Sequence, residues 1–152
     1  MILSNHLIFL LRASLDVMIY LAMFGLNIET HTIRNSNYRK VLYTDKFQQL
    51  VLMSLKPGET IPLESHNGTQ FIRIEHGTGI AKVISQESKK QTKQENKKYM
   101  KKNIRLKDGV AIVIPPKTKH VVSNTGTKPL KLYAIYSPPE HKKELVQKNF
   151  SC

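Results

Sequence analysis

From residue 27 onward, apolar and polar positions come in short runs broken by turn residues at close intervals, the pattern of an all-β sandwich or barrel. Runs at 41–43, 49–55, 70–75, 79–85, 103–106, 110–114, 120–124 and 130–136 predict strands. Between them stand Lys56-Pro57-Gly58-Glu59, Asn67-Gly68, Gly77-Thr78-Gly79, Lys107-Asp108-Gly109, Pro115-Pro116 and Thr125-Gly126-Thr127, all rich in turn-forming residues. Gly58, Gly77 and Gly109 are expected where the backbone takes a positive φ. No long helical period follows residue 27. After Pro138-Pro139 the chain turns polar, and a short helix is expected over 142–148.

The first 26 residues read differently. Residues 7–26 are almost continuously apolar and of membrane-spanning length. Arg12 and Asp16 interrupt the run, and each would cost about 2.5–3.5 kcal/mol near a bilayer centre. Spaced four apart, they can pair on one helical face. A secretory signal fits poorly, because no Lys or Arg precedes the run. A membrane span, a helix packed on the domain or a partner, and an extension outside the folding domain all remain open, the last being favoured.

The chain has 152 residues, enough for one domain with its own core and too few for a two-domain nucleotide-binding enzyme. Its single cysteine, Cys152, excludes a disulfide framework and a cysteine-based zinc cluster. A reducing, cytoplasmic location is expected. The net charge is +13, but nineteen of the 24 basic residues are Lys and five are Arg, which is not the composition of a phosphate-reading surface. Much of the charge sits in residues 85–103, with seven Lys and two Glu. So polar a segment reads as a solvated loop between two strands. No specific nucleic acid is expected as a partner.

The chemistry gathers elsewhere. Glu64 and His66 are two apart, so an extended chain points them to one side. Gln70 follows with the same parity beyond the Asn67-Gly68 kink, and His120 lies on the strand after Pro115-Pro116. A carboxylate, two imidazoles and an amide oxygen make a workable ligand set for a divalent metal. Phe71, Ile72, Val122, Leu132 and Tyr136 are candidate walls of an apolar pocket. His6, His31, His76 and His141 have no sequence partners and receive no role.

The spacing around these residues forms two blocks: Gly58, Glu64, His66, Gln70, Gly77, and Gly109, Pro115, His120, Asn124. They resemble the two motifs of the cupin superfamily, with Glu64 at the first His position, Gln70 at the Glu position and Lys117 in place of a Gly. The wording of the chain is similar to a group of small bacterial cupins labelled mannose-6-phosphate isomerase-like. The resemblance covers about residues 27–141. It implies an all-β double-stranded β-helix, the jelly-roll or RmlC-like cupin barrel. Residues 1–26 would then be an apolar N-terminal extension whose helicity is open, 85–103 an inserted loop and 142–152 a polar tail. It also implies a divalent metal (Zn, Mn, Fe or Ni) held by Glu64, His66, Gln70 and His120. Asn124 is expected to be a hydrogen-bonder at a strand end. The partners expected are a small-molecule ligand and a second copy of the chain. Three functions stay open: a metal enzyme acting on a small oxygen-rich molecule such as a sugar or sugar phosphate, a non-catalytic metal- or ligand-binding module, and a metal-free cupin. No catalytic residue is assigned.

Overall fold

The computed structural model of this chain describes residues 25–86 and 99–150, so all but the last two residues of the apolar run at 7–26 lie outside the described residues. No described helix is long and apolar enough to cross a membrane. The first element is a helix that the sequence pattern does not predict, α1 (Ile28–Arg34). Asn27 caps it by accepting a hydrogen bond from the Thr30 amide, at 2.9 Å. At seven residues it is too short to leave a clear amphipathic period.

Ten strands follow: β1 (Arg39–Thr44), β2 (Gln49–Leu55), β3 (Thr60–Glu64), β4 (Thr69–His76), β5 (Gly79–Gln86), β6 (Tyr99–Leu106), β7 (Ala111–Ile114), β8 (Lys119–Asn124), β9 (Leu130–Ser137) and β10 (Val146–Gln147). They form two antiparallel sheets, ordered β10-β1-β2-β9-β4-β7 and β3-β8-β5-β6. Alternation within strands sets what each sheet buries. In β9, Leu130, Leu132, Ala134 and Tyr136 face inward, and in β4, Gln70, Ile72 and Ile74 do so. Ile72, Leu132 and Val122, expected as pocket walls, join the main hydrophobic cluster. Phe71 does not: it lies on the outer face of β4, with its ring 6.0 Å from that of Tyr133. Truncating Leu132, fully buried, would cost about 2–5 kcal/mol.

Gly58, Gly77 and Gly109 all have positive φ, as the turn pattern predicts. Gly77 has a second reason to lack a side chain, since a Cβ there would lie 2.5 Å from the Pro129 carbonyl oxygen. Lys117, where the family motif has Gly, also takes a positive φ of 60°. That conformation lets its amide donate to the His66 carbonyl at 2.6 Å.

Three segments differ from the sequence-based expectation. β3 contains Pro62, which masks it as a strand; there the β3–β8 register shifts between Ile61 and Glu64. The Lys-rich loop is shorter than 85–103, because β5 runs to Gln86 and β6 begins at Tyr99, the two residues being paired. Long ladders can carry polar residues into a hairpin's outer end, which composition alone cannot reveal. The tail at 142–148 forms no helix: Val146 and Gln147 pair with Lys40 and Arg39 as β10, and the Phe150 ring lies 5.3 Å from that of Tyr38.

Because Gln86 and Tyr99 are directly opposite, replacing residues 87–98 by Asn-Gly should close a two-residue hairpin and leave the melting temperature within a few degrees. A loss of cooperative melting would show that the segment supports the barrel. Lys117→Gly should raise stability by up to about 1 kcal/mol in denaturant titration, since Gly adopts positive φ without steric cost.

Candidate metal centre

Each site residue is delivered by a local feature of the chain. Glu64 ends β3, where the bulged pairing with β8 sets it opposite His120. His66 lies in the β3–β4 connection, fixed through its carbonyl by the Lys117 amide. His120 projects inward from β8 and is fully buried. Gln70 projects inward from β4 opposite Tyr136.

The resulting geometry brings three of the four expected residues together. The ligand atoms of Glu64, His66 and His120 all lie within 4.8 Å of one another. Glu64 Oε1 is 3.2 Å from His66 Nε2 and 3.2 Å from His120 Nε2. The outer nitrogen of each ring also faces an oxygen. His120 Nδ1 is 3.1 Å from the Thr118 carbonyl oxygen, which can only accept, so Nδ1 carries the proton. His66 Nδ1 is 3.1 Å from Glu140 Oε1, so a carboxylate oxygen faces each nitrogen of that ring. Both Nε2 atoms thus converge on one carboxylate oxygen. A position shared by two imidazole nitrogens and a carboxylate oxygen suits a cation, either a proton or a metal ion.

The ionisation of the residues agrees. Burial alone would push the Glu64 carboxyl up, but His120 and His66 outweigh it and hold it down to about 2. Contact with Glu64 raises the His66 pKa, against burial and with help from Glu140. The cluster thus attracts positive charge, and outer-nitrogen partners of this kind orient imidazoles that ligate metals. The fit extends to Gln70, whose buried side-chain amide lies against the Tyr136 hydroxyl without a hydrogen bond of good geometry at Oε1, Nε2 or the hydroxyl. Unsatisfied polar atoms facing a barrel interior are expensive unless something binds them. A divalent cation suits this set: a hard carboxylate, two imidazoles and a nearby amide.

Two residues given no role by sequence reasoning belong to the site's surroundings. Glu140 approaches His66 as described, and the His141 ring packs edge-on against Tyr136 at 4.9 Å, itself 5.2 Å from the His66 ring. His141 therefore does have partners, contrary to its unassigned status in sequence. The buried Gln49 holds this stretch: its Nε2 donates to the His141 carbonyl at 2.8 Å, and its Oε1 accepts from the His141 amide at 2.9 Å. The Gln49–Glu140–His141 link spans most of the chain, so only a contact between distant strands could reveal it. Asn124 is a hydrogen-bonder as expected, donating to the Leu55 and Lys128 carbonyls and accepting from the Gly126 amide.

An all-β barrel of two antiparallel sheets with an inward His/Glu cluster defines the class. Residues 34–152 match the Cupin family model, and the chain belongs to the cupin family. It is 44% identical over 119 residues to the uncharacterized protein YrkC of Bacillus subtilis, a match covering 78% of this chain and 59% of YrkC. This chain thus spans less than two thirds of that relative's length. The crystal structure of BH2720 from Bacillus halodurans is similar at 40% identity and a TM-score of 0.69, covering 82% of this chain and 88% of that one. An RmlC-like cupin from Methanocaldococcus jannaschii with a double-stranded β-helix fold has 15% identity and a TM-score of 0.52, covering 76% and 89%; it shares the fold.

The position of His141 generates a pH prediction. Burial, followed by the charge of Arg39, lowers its pKa from 6.5 to about 4. Between those values the unfolded chain binds a proton that the folded chain does not, so this group makes stability fall as pH drops from 6.5 toward 4. The slope it contributes is no steeper than about 1.4 kcal/mol per unit, less where solvent reaches the ring. In chelator-treated protein, His141→Phe should flatten urea midpoints measured across this range. Parallel curves for the two proteins would show that His141 stays neutral for no energetic reason.

Proposed function

We propose that this protein is a divalent-metal cupin that binds a small, oxygen-rich molecule at the metal. The convergence of the His66 and His120 Nε2 atoms on the Glu64 carboxylate carries the reading. Glu64, His66 and His120 would hold the ion, with Gln70 as a fourth, weaker donor. Ionised Glu64 and two neutral imidazoles leave a bound dication with net positive charge. A bound metal would supply Lewis-acid polarisation of a ligand oxygen.

The chain's own groups surround that position. Glu140 orients His66 and balances charge on its ring, Thr118 orients His120, and Tyr136 offers a buried hydroxyl. Burial first, and then the charge of Glu64, raises the Tyr136 pKa, so that hydroxyl stays protonated and can donate to a ligand oxygen. Isomerisation of a sugar or sugar phosphate is the specific reaction we propose within this class. A metal ion and a protonated hydroxyl beside one ligand oxygen suit a hydroxy-carbonyl substrate. A second copy of the chain and a cytoplasmic location remain part of the proposal.

Elemental analysis of protein purified without added metal tests the reading directly. About one divalent ion per chain is expected, and none after His66→Ala or His120→Ala. Gln70→Ala should weaken retention less, because a neutral amide is the poorest donor, and Glu140→Gln should weaken it about 10–100-fold by loosening His66. Metal must displace the proton favoured on His66, so affinity should fall as pH drops through that raised pKa and level off above it. Wild-type protein that neither carries nor takes up a divalent ion would sink the proposal.

A further inference from the structure

Arg39 occupies an unusual position for a charge. Across the β1–β2 ladder it pairs with Met53, and two residues on Val41 pairs with Val51. Val41, Val51 and Met53 are all in the hydrophobic cluster, so Arg39 shares their inward face. Its Nε is buried with no hydrogen-bond partner, and no carboxylate among the described residues pairs with its guanidinium. The other described arginines behave ordinarily: Arg34 and Arg105 are exposed, and Arg73 pairs with Glu75 at 2.8 Å. Arg39 is half-buried, so it presents a planar, partly desolvated fork of donors in a chain that otherwise favours Lys.

This guanidinium stands beside the metal centre. Its charge bears on both His141 and Tyr136, the residues packed against each other next to His66. The guanidinium carbon lies 5.6 Å from the centre of the Tyr38 ring. A cleft of about 290 Å³ is lined by Tyr38, Arg39, Pro62, Leu63, Glu64 and Phe150 among others, so one opening reaches both Arg39 and a metal-facing carboxylate. Its volume admits a molecule of a few to about a dozen heavy atoms, near the lower end of ligand-site sizes.

We infer that Arg39 is the anion-binding residue of this site, and that the small molecule reaching the metal carries a carboxylate or phosphate group seated on the guanidinium. The inference rests on the metal-centred reading above and narrows it from oxygen-rich molecules to anionic ones. Parallel N–H donors match two oxygens of either group, which gives orientation as well as attraction. The far end of such a ligand then faces Glu64, the residue that this cleft shares with the metal centre, while Tyr38, Leu63 and Phe150 line its flanks. A neutral polyol of the same size leaves the half-buried guanidinium without an anionic partner.

Calorimetry on the full-length, metal-loaded protein tests this with four probes: glucose, gluconate, glucose 6-phosphate and inorganic phosphate. Gluconate, glucose 6-phosphate or both should bind more tightly than glucose. Arg39→Gln should weaken the anionic probes by roughly tenfold, leave glucose unchanged and leave metal content at the wild-type level. Arg39→Lys, which keeps charge and loses the fork, should fall between the two. Preference for gluconate identifies a carboxylate ligand and preference for glucose 6-phosphate a phosphate ligand. Equal binding by Arg39→Gln and wild type, no preference for anions, or loss of metal together with binding in Arg39→Gln would each overturn the inference. Metal content is read separately on every sample, so an empty wild-type centre would be recognised as failure of the metal reading itself.

Discussion

Two imidazole nitrogens and a carboxylate oxygen face one another inside an otherwise apolar barrel, and the surrounding structure depends on holding them there. Three ligand atoms within 4.8 Å of one another stay in register only if each side chain is fixed from behind. The Thr118 carbonyl fixes the His120 ring, Glu140 the His66 ring, and the irregular β3–β8 pairing fixes Glu64. None of these supports lies next to the residue it serves except Thr118. The barrel supplies the rest by joining β3, β8 and the stretch after β9 at one end. Fully buried Val51, Leu132 and Val122 make that framework stiff, because well-packed interiors resist the shifts that would let the acceptors separate.

The barrel itself is legible in period-two alternation and turn residues, since strands β2, β4, β5, β7, β8 and β9 carry strong patterns between clear breaks. Residue type and parity group Glu64, His66, Gln70 and His120, and the resemblance of the two blocks to the cupin motifs is what singles them out as ligands. What the amino-acid order hides has physical causes. Pro62 hides β3, which is paired on one side only, where a residue without an amide proton is tolerated. β10 is two residues long and owes its existence to β1. Phe71 reads as a pocket wall because a large apolar side chain carries no label for which face it takes. Glu140, His141 and Arg39 are site residues only through contacts between strands far apart in the chain, and no local spacing encodes those.

The stretch after β9 shows how the open side of the barrel is completed. Pro138 and Pro139 end the strand, and Gln49 clamps the following backbone through the Glu140 and His141 amides. That clamp delivers Glu140 to His66 and His141 to Tyr136. Further on, β10 adds to the edge of β1, and Phe150 covers Tyr38. β1 is also the strand that carries Arg39. The segment that orients a metal-facing imidazole from one side thus braces, from the other, the strand bearing Arg39. Charge placement follows the same division. Glu64 and Glu140 surround the imidazoles with negative charge, whereas Arg39 stands on the ligand's path. A cation is therefore favoured at the centre and an anion at the mouth, and a molecule that joins the two satisfies buried groups that the folded chain leaves unpaired.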